Sequence, residues 1–294
     1  MPAGEPLPFP TLPITSEATL AACGSLPVRP GDVFIASYPK SGTTWTQALV
    51  SALIAGGTRP RHVSDVAPFL EIDPHWVEGR FVGAPGSAAA HTALGRRCFN
   101  THLLHDMLPL SRDARIVYVV RDGADCALSF FMHLSNQRGA AGSYSKGWGA
   151  FFDEWLRGDL PYGRWCDHVR SYAQAIAAGD ERVLLVSYEQ LSLDLEGTMR
   201  QIAAHIGVPP LADVSPFSFA SMRAESERYQ PESVQWAEGF RFLRKGVVGG
   251  GKRHMDVAQL RQWEANLRDA FPGGLPSSMA AALRGEAPRS QQPE

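Results

Sequence analysis

No two cysteines in this sequence stand close enough to form a metal knuckle. Cys23, Cys98, Cys126 and Cys166 are far apart and make no CxxC pair. That spacing argues against a zinc ribbon and a disulfide framework, and fits free thiols in a reducing cytoplasm. Long apolar runs are also missing, and none approaches the ~20 residues that a membrane span requires. The first twenty residues have no basic start and no apolar stretch, so they do not read as a secretory signal. Their prolines predict an extended arm over residues 1–25. Excess charge is absent as well. With a formal net charge of -2, no global basic field points to nucleic acid, and any anion site must be local.

What is present is an ordinary globular composition, 44% apolar and 20% charged over 294 residues. It suits one α/β domain. Apolar runs at 32–37, 97–102, 115–120 and 182–187 read as strands. Amphipathic stretches near 47–54, 124–134, 148–156, 162–178, 195–206, 216–223 and 257–270 read as helices. Strands alternating with helices imply a central parallel sheet covered on both faces. No linker divides the chain, so residues 26–285 form one predicted domain. The composition of 286–294 predicts a disordered tail. Residues 56–95 read mostly as loops and short helices, and the polar, Gly/Ser-rich 135–147 as a mobile loop.

The most telling stretch is Tyr38-Pro39-Lys40-Ser41-Gly42-Thr43-Thr44-Trp45, set between a predicted strand and a predicted helix. Loop amides and the positive end of a helix face an anion there, and Lys40 adds a full charge. The order is not that of a Walker A loop, because the lysine precedes Ser41-Gly42-Thr43-Thr44. The magnesium-binding hydroxyl after Gly-Lys is missing, and Arg121, not an acid, follows the next strong strand. A phosphate site that requires no metal is the better reading. Arg121 sits at the carboxyl end of its strand, where ligands collect in open sheets. Ser129 lies about two helical turns further on. Together they can hold a second phosphate. Arg244-Lys245-Gly246, before a run of glycines, forms a third basic element.

These three elements together resemble the cytosolic sulfotransferase family over about residues 30–260. Tyr38–Trp45 resembles its 5'-phosphosulfate loop, Tyr118 through Ser129 its 3'-phosphate motif, and Arg244-Lys245-Gly246 its C-terminal signature. Pro68-Phe69-Leu70-Glu71, Thr101-His102-Leu103 and Ser187-Tyr188-Glu189 are similar to weaker family motifs. The resemblance implies a P-loop-NTPase-like fold. It also implies transfer of a sulfonate group from 3'-phosphoadenosine-5'-phosphosulfate (PAPS) to a hydroxyl or amine of a small acceptor, leaving adenosine 3',5'-bisphosphate (PAP).

By the same resemblance, Lys40 stabilises the leaving phosphate, and Ser41, Gly42, Thr43 and Thr44 bind the 5'-phosphate. Arg121, Ser129, Arg244, Lys245 and Gly246 hold the 3'-phosphate. Trp45, Tyr188 and Phe219 border the adenine. His102 is the general base, with His105 as its rival.

Three departures stand out. Asn100 replaces the usual lysine before Thr101-His102, which leaves a neutral amide for the transferring group. Gly249-Gly250-Gly251-Lys252 replaces Gly-Asp-Trp-Lys, which predicts a looser loop until PAPS binds. Asp256 and Arg261 alter the dimer motif around Val257, leaving monomer and homodimer both open. Phe69, Trp76, Phe81, Phe131, Tyr144 and Trp148 are candidates to line an apolar acceptor pocket, with the alternative that most are core. Two other functions compete. One is a nucleotide kinase or NTPase, which requires magnesium. The other is a catalytically weak nucleotide-binding regulator.

Overall fold

The computed structural model describes residues 7–109, 111–139, 143–232 and 234–286. Its strands are β1 (Val33–Ser37), β2 (Trp76–Val77), β3 (Arg80–Phe81), β4 (Cys98–Thr101), β5 (Arg115–Val120), β6 (Gln137–Arg138), β7 (Val183–Ser187) and β8 (Gln235–Trp236). The helices of the first half are α1 (Glu17–Gly24), α2 (Thr43–Ile54), α3 (Val63–Val66), α4 (Ser87–Leu94) and α5 (Gly123–Asn136). Those of the middle are α6 (Trp148–Arg157), α7 (Trp165–Ala177), α8 (Tyr188–Leu193), α9 (Leu195–Ile206) and α10 (Phe219–Ala224). The chain closes with α11 (Gly250–His254), α12 (Val257–Ala270) and α13 (Ser277–Leu283).

β4, β1, β5 and β7 pair in that order as a parallel sheet. Each strand is nearly all apolar because both faces are covered, and successive side chains enter different cores. Phe34, Ala36, Phe99, Ile116, Tyr118 and Val120 join Phe130, Phe151, Trp155 and Tyr172 from α5, α6 and α7. Val33, Ile35, Cys98, Val117, Val119 and Val186 join Leu49, Leu53, Ile202 and Ile206 from α2 and α9. Full burial of each large side chain stabilises the fold by about 1.5–3 kcal/mol.

The register aligns the strand ends. Ala36 lies opposite Thr101, Ser37 opposite Val119, and Val120 opposite Ser187. The residues that follow, Tyr38, His102, Arg121 and Tyr188, therefore emerge together along one carboxyl edge.

The N-terminal segment differs from the expected extended arm. Glu17–Gly24 is helical, because Ser16 caps it by accepting from the Thr19 amide at 3.2 Å. Asp73 fixes that cap through the Ser16 amide at 2.8 Å and the Thr19 hydroxyl at 2.7 Å. Leu20 and Cys23 then reach the core. At the other end, the Glu286 carbonyl accepts from Gln190 at 2.6 Å. The rest of the tail expectation, 287–294, lies outside the described residues, as does 140–142 of the loop expected at 135–147. Asp256, Val257 and Arg261 of the altered dimer motif are all exposed. No helix among the described residues is long and apolar enough to cross a membrane.

Candidate active site

The carboxyl edge of the sheet opens into a cavity of about 380 Å³. Lys40, Gly42, Thr43, Thr44, Trp45, Asn100, His102, Arg121, Ser129, Tyr188, Phe219, Arg244, Lys245 and Gly246 all line it. Of the residues expected to bind the phosphates and the base, Ser41 does not line it. Its amide donates to the Tyr38 carbonyl at 3.2 Å, and its buried hydroxyl lies 3.3 Å from the Cys126 sulfur. Ser41 closes the turn from inside and faces away from the cavity.

The turn delivers the start of α2 to the cavity wall. Its N-cap is Gly42, at φ 105°, and among the described residues no side chain caps the helix. The first helical amides are thus unpaired, and they present a partial positive charge to an anion. A Cβ at Gly42 would stand 3.0 Å from the Tyr188 ring. Lys40 has φ 69°, a conformation that costs a non-glycine residue about 1–3 kcal/mol. Arg121 helps to hold it, donating from Nη1 to the Lys40 carbonyl at 3.2 Å.

Arg121 is the hub of the second anion-holding end. Its guanidinium stacks 3.9 Å from the Tyr188 ring centroid, and Nη2 donates to the Val247 carbonyl at 3.1 Å. Its Nε is buried with no partner among the described residues, a donor waiting for an acceptor. Arg244 shares the space, and burial together with Arg121 lowers its pKa. Gly246 is held at φ 65°, with the Phe219 ring 2.6–2.7 Å from where a Cβ would sit. Trp45 meets Tyr188 at 5.6 Å and Phe219 at 6.3 Å, forming an aromatic border beside this end. Gly246→Ala is expected to weaken PAP binding about tenfold, since the left-handed conformation alone costs an alanine about 1–2 kcal/mol. Titration calorimetry with PAP checks this.

The glycine run after Gly246 differs from the loose loop expected. Asp125 accepts from the amides of Gly249 at 2.8 Å and Gly251 at 2.6 Å, so it caps α11. A Cβ at Gly251 would fall 2.0 Å from the Ala124 carbonyl oxygen. Here the missing side chain serves close packing of α11 on α5. Asp122, the first acid after β5, caps α5 through the Ala124 and Asp125 amides and pairs with Lys252 at 3.2 Å.

His102 follows β4. Its Nδ1 lies 2.7 Å from the Ser37 carbonyl. A carbonyl only accepts, so Nδ1 carries the proton and Nε2 is left as a lone pair at the cavity wall. Burial, and next the Lys40 charge, lower the pKa to about 4, against the pull of the Ser37 bond. The ring is wedged between Tyr162 at 5.1 Å and Phe69 at 5.3 Å. His105, the rival base, is bound to Asp180 at 2.9 Å and packs on Tyr172, away from the cavity. Asn100 lines the cavity, and its Oδ1 is buried with no partner among the described residues.

Two residues that sequence reasoning did not single out complete the site. Glu71 is fully buried and accepts from the His102 amide at 2.6 Å and from the Thr101 hydroxyl at 3.0 Å. Burial raises its pKa to about 8, so it is mainly the neutral acid at pH 7. Glu71→Gln is expected to keep turnover within a few-fold. Glu71→Ala leaves the His102 amide unpaired at a cost of about 1–3 kcal/mol and is expected to lower kcat about tenfold or more. Steady-state rates on the two variants, read beside their melting temperatures, check this.

The second missed residue is His133 on α5. Its Nδ1 lies 3.1 Å from Lys40 Nζ. Lys40 Nζ also stands 4.4 Å from the Phe242 ring centroid. Burial, and next the Arg121 charge, lower the Lys40 pKa to about 7.

The remaining wall is mostly apolar and includes Leu12, Ile14, Phe69, Ile72, Tyr162 and Phe242. Of the aromatics proposed for it, only Phe69 lines the cavity. Trp76 packs on Phe81 and Phe81 on Phe99, while Phe131, Tyr144 and Trp148 cluster around Phe151.

The chain matches the family model of the sulfotransferase domain over residues 30–273. It is 28% identical to human sulfotransferase 2A1, covering 88% of this chain and 91% of that protein. It is 29% identical to mouse sulfotransferase 6B1, covering 96% of this chain and 88% of that one. Among solved structures, mouse sulfotransferase SULT7A1 complexed with PAP superposes with a TM-score of 0.68 at 25% identity, over 92% and 95% of the two chains. A retinol dehydratase in complex with retinol and PAP shares the fold, with a TM-score of 0.70 at 23% identity over 88% and 87%. The fold, the order of the phosphate-holding elements and the extent of the match lead to one conclusion: this chain belongs to the sulfotransferase domain family.

Proposed function

We propose that the protein transfers the sulfonate group of PAPS to a hydroxyl or amine of a small, largely apolar acceptor, with His102 as general base. One observation carries this reading: a single cavity joins two anion-holding ends to an imidazole with a free nitrogen. The residues suit PAPS in three ways. The α2 N-terminus is uncapped, Arg121 Nε is an orphaned buried donor, and Gly246 leaves a cradle that a Cβ would fill. PAPS supplies an activated sulfonate on a phosphate leaving group.

The chain supplies the rest. The α2 amides, with Thr43 and Thr44, hold the 5'-phosphate. Arg121, Ser129, Arg244, Lys245 and Gly246 hold the 3'-phosphate. Trp45, Tyr188 and Phe219 border the base. Lys40 places a cation where negative charge grows on the leaving oxygen. His102 Nε2 takes the acceptor proton, and its Nδ1–H bond to Ser37 keeps the ring in the tautomer this needs. The apolar wall excludes water around the acceptor. All four cysteines are buried and free, which suits the reducing cytoplasm.

The test is turnover of PAPS with a panel of phenols and alcohols in EDTA, following PAP release. Release that depends on an acceptor, and that magnesium does not change, is expected. PAP release with no acceptor dependence, or a reaction that uses ATP and magnesium instead, would overturn the reading.

A further inference from the structure

The Lys40 side chain reaches His133, one helical turn beyond Ser129 on α5, and this is the one hydrogen bond of its ammonium among the described residues. His133 is itself braced. Its Nε2 lies 2.9 Å from the Gln137 side-chain amide, and its ring packs on Trp236 at 5.0 Å and Phe242 at 5.9 Å. β8 pairs with β6 here, with Gln137 opposite Trp236. The segment that carries Phe242 toward Lys40 thus also clamps the imidazole.

The hydrogen-bond inventory fixes the sense of the chain of contacts. A Lys40 ammonium can only donate, so His133 Nδ1 accepts and Nε2 carries the ring proton. Nε2–H must then donate, which requires the Gln137 amide to turn its oxygen toward His133. That orientation gives the Gln137 oxygen a donor and places its amide nitrogen where the oxygen has no partner among the described residues.

From this geometry we infer that His133 is a positioning residue of the transfer step. It accepts a hydrogen bond from the Lys40 ammonium and, braced by Gln137, holds that cation between the phosphosulfate loop and the acceptor half of the cavity. The inference rests on the proposed sulfonate transfer and adds a residue whose imidazole is matched to the reactive lysine. The groups facing this pair are few. Arg121 from the end of β5 and His102 from the end of β4 disfavour a further charge, and the Cys126 thiol lies on α5. By accepting its hydrogen bond, the neutral His133 favours the ammonium, beside the contribution of Cys126. Without it, Lys40 is a partly buried cation beside Arg121, with the Phe242 ring and the Cys126 thiol as its favourable neighbours among the described residues.

The experiment compares His133→Phe, which keeps the ring volume, with His133→Gln, which restores an acceptor. The basic limb of kcat/KM for PAPS reports Lys40 in the free enzyme. In His133→Phe this limb is expected to move about one pH unit or more lower, since the charged form has lost its hydrogen bond. kcat is expected to fall about tenfold or more, while PAP binding stays near native. His133→Gln is expected to recover the native limb.

A second readout needs no turnover. The chain has four lysines, Lys40, Lys146, Lys245 and Lys252. The Nζ signal of Lys40 in lysine-labelled protein is assigned by its loss in Lys40→Met and titrated in each variant. An unchanged limb and an unchanged Lys40 titration in His133→Phe would overturn the inference. So would a loss of activity that His133→Gln does not restore and that accompanies lost PAP binding, which would assign His133 to packing. If the native protein fails to turn over PAPS, the proposed function fails, while the titration still decides the role of His133.

Discussion

His102→Ala is expected to lower sulfonate transfer by about 10²–10⁴, the usual contribution of a positioned general base, while PAP binding stays near native. The separation follows from where His102 sits. Its bonds run to the Ser37 carbonyl, the Glu71 carboxyl and the His168 ring, and among the described residues none runs to a phosphate-holding group. The acceptor must lose a proton as it attacks, and the Nε2 lone pair takes it. Only the neutral ring serves, so kcat/KM for the acceptor falls as pH drops through the His102 pKa. That pKa lies at about 4, which keeps the base competent well below neutrality. Isothermal titration with PAP and rate measurements on one preparation check both halves. Full activity in His102→Ala, or lost PAP binding, removes His102 as the base.

Lys40→Met is expected to cost about 10²–10³ in kcat, the loss seen when one preorganised donor to a developing oxyanion is removed. Methionine matches the length of the stem and keeps the apolar contact with Phe242, so the change isolates the charge. The pH dependence carries a second signature. Lys40 works as the ammonium, and burial beside Arg121 brings its pKa to about 7. In the native protein, kcat/KM for PAPS is therefore expected to fall as pH rises above about 7, and Lys40→Met is expected to lack that limb. A native-like basic limb in the variant contradicts the assignment. A bound dianion favours the ammonium, so kcat, which reports the loaded enzyme, should hold to higher pH than kcat/KM.

The strands and the phosphate loop were legible because each is a local pattern. Val33–Ser37 and Arg115–Val120 are continuous apolar runs that only a doubly covered sheet explains, and both are strands. The loop residues follow from their place between β1 and α2. What stayed hidden depends on which way a side chain faces. Ser41 sits in the loop as a hydroxyl donor, yet the turn points it at Cys126. Trp76, Phe81, Phe131, Tyr144 and Trp148 have the size to line a pocket, but their spacing does not say which way they face, and they pack in two groups, beside Phe99 and around Phe151. Glu71 lies in the short Pro68–Glu71 run, and nothing local shows that its carboxyl is buried under His102. His133 left a weak signal. It stands four residues after Ser129 and so shares its helix face, but it is one of nine histidines. α1 was masked by the prolines around it, although Ser16 followed by Glu17 is a helix-start signal.

The alternative functions differ from the proposed one in the number of phosphate ends they need. A donor with phosphates at both 3' and 5' positions uses the α2 N-terminus and the Arg121–Arg244 end together. A nucleotide with 5'-phosphates alone leaves the second end empty, and the buried Arg121 Nε keeps no acceptor among the described residues. The most direct measurement is therefore titration calorimetry of the purified protein in EDTA, with PAP against adenosine 5'-monophosphate. Two charged contacts to the 3'-phosphate, at about 1.5–3 kcal/mol each, predict PAP bound tighter by about 100-fold or more. Equal affinity for the two nucleotides, or tight binding of ATP only once magnesium is added, would contradict the account.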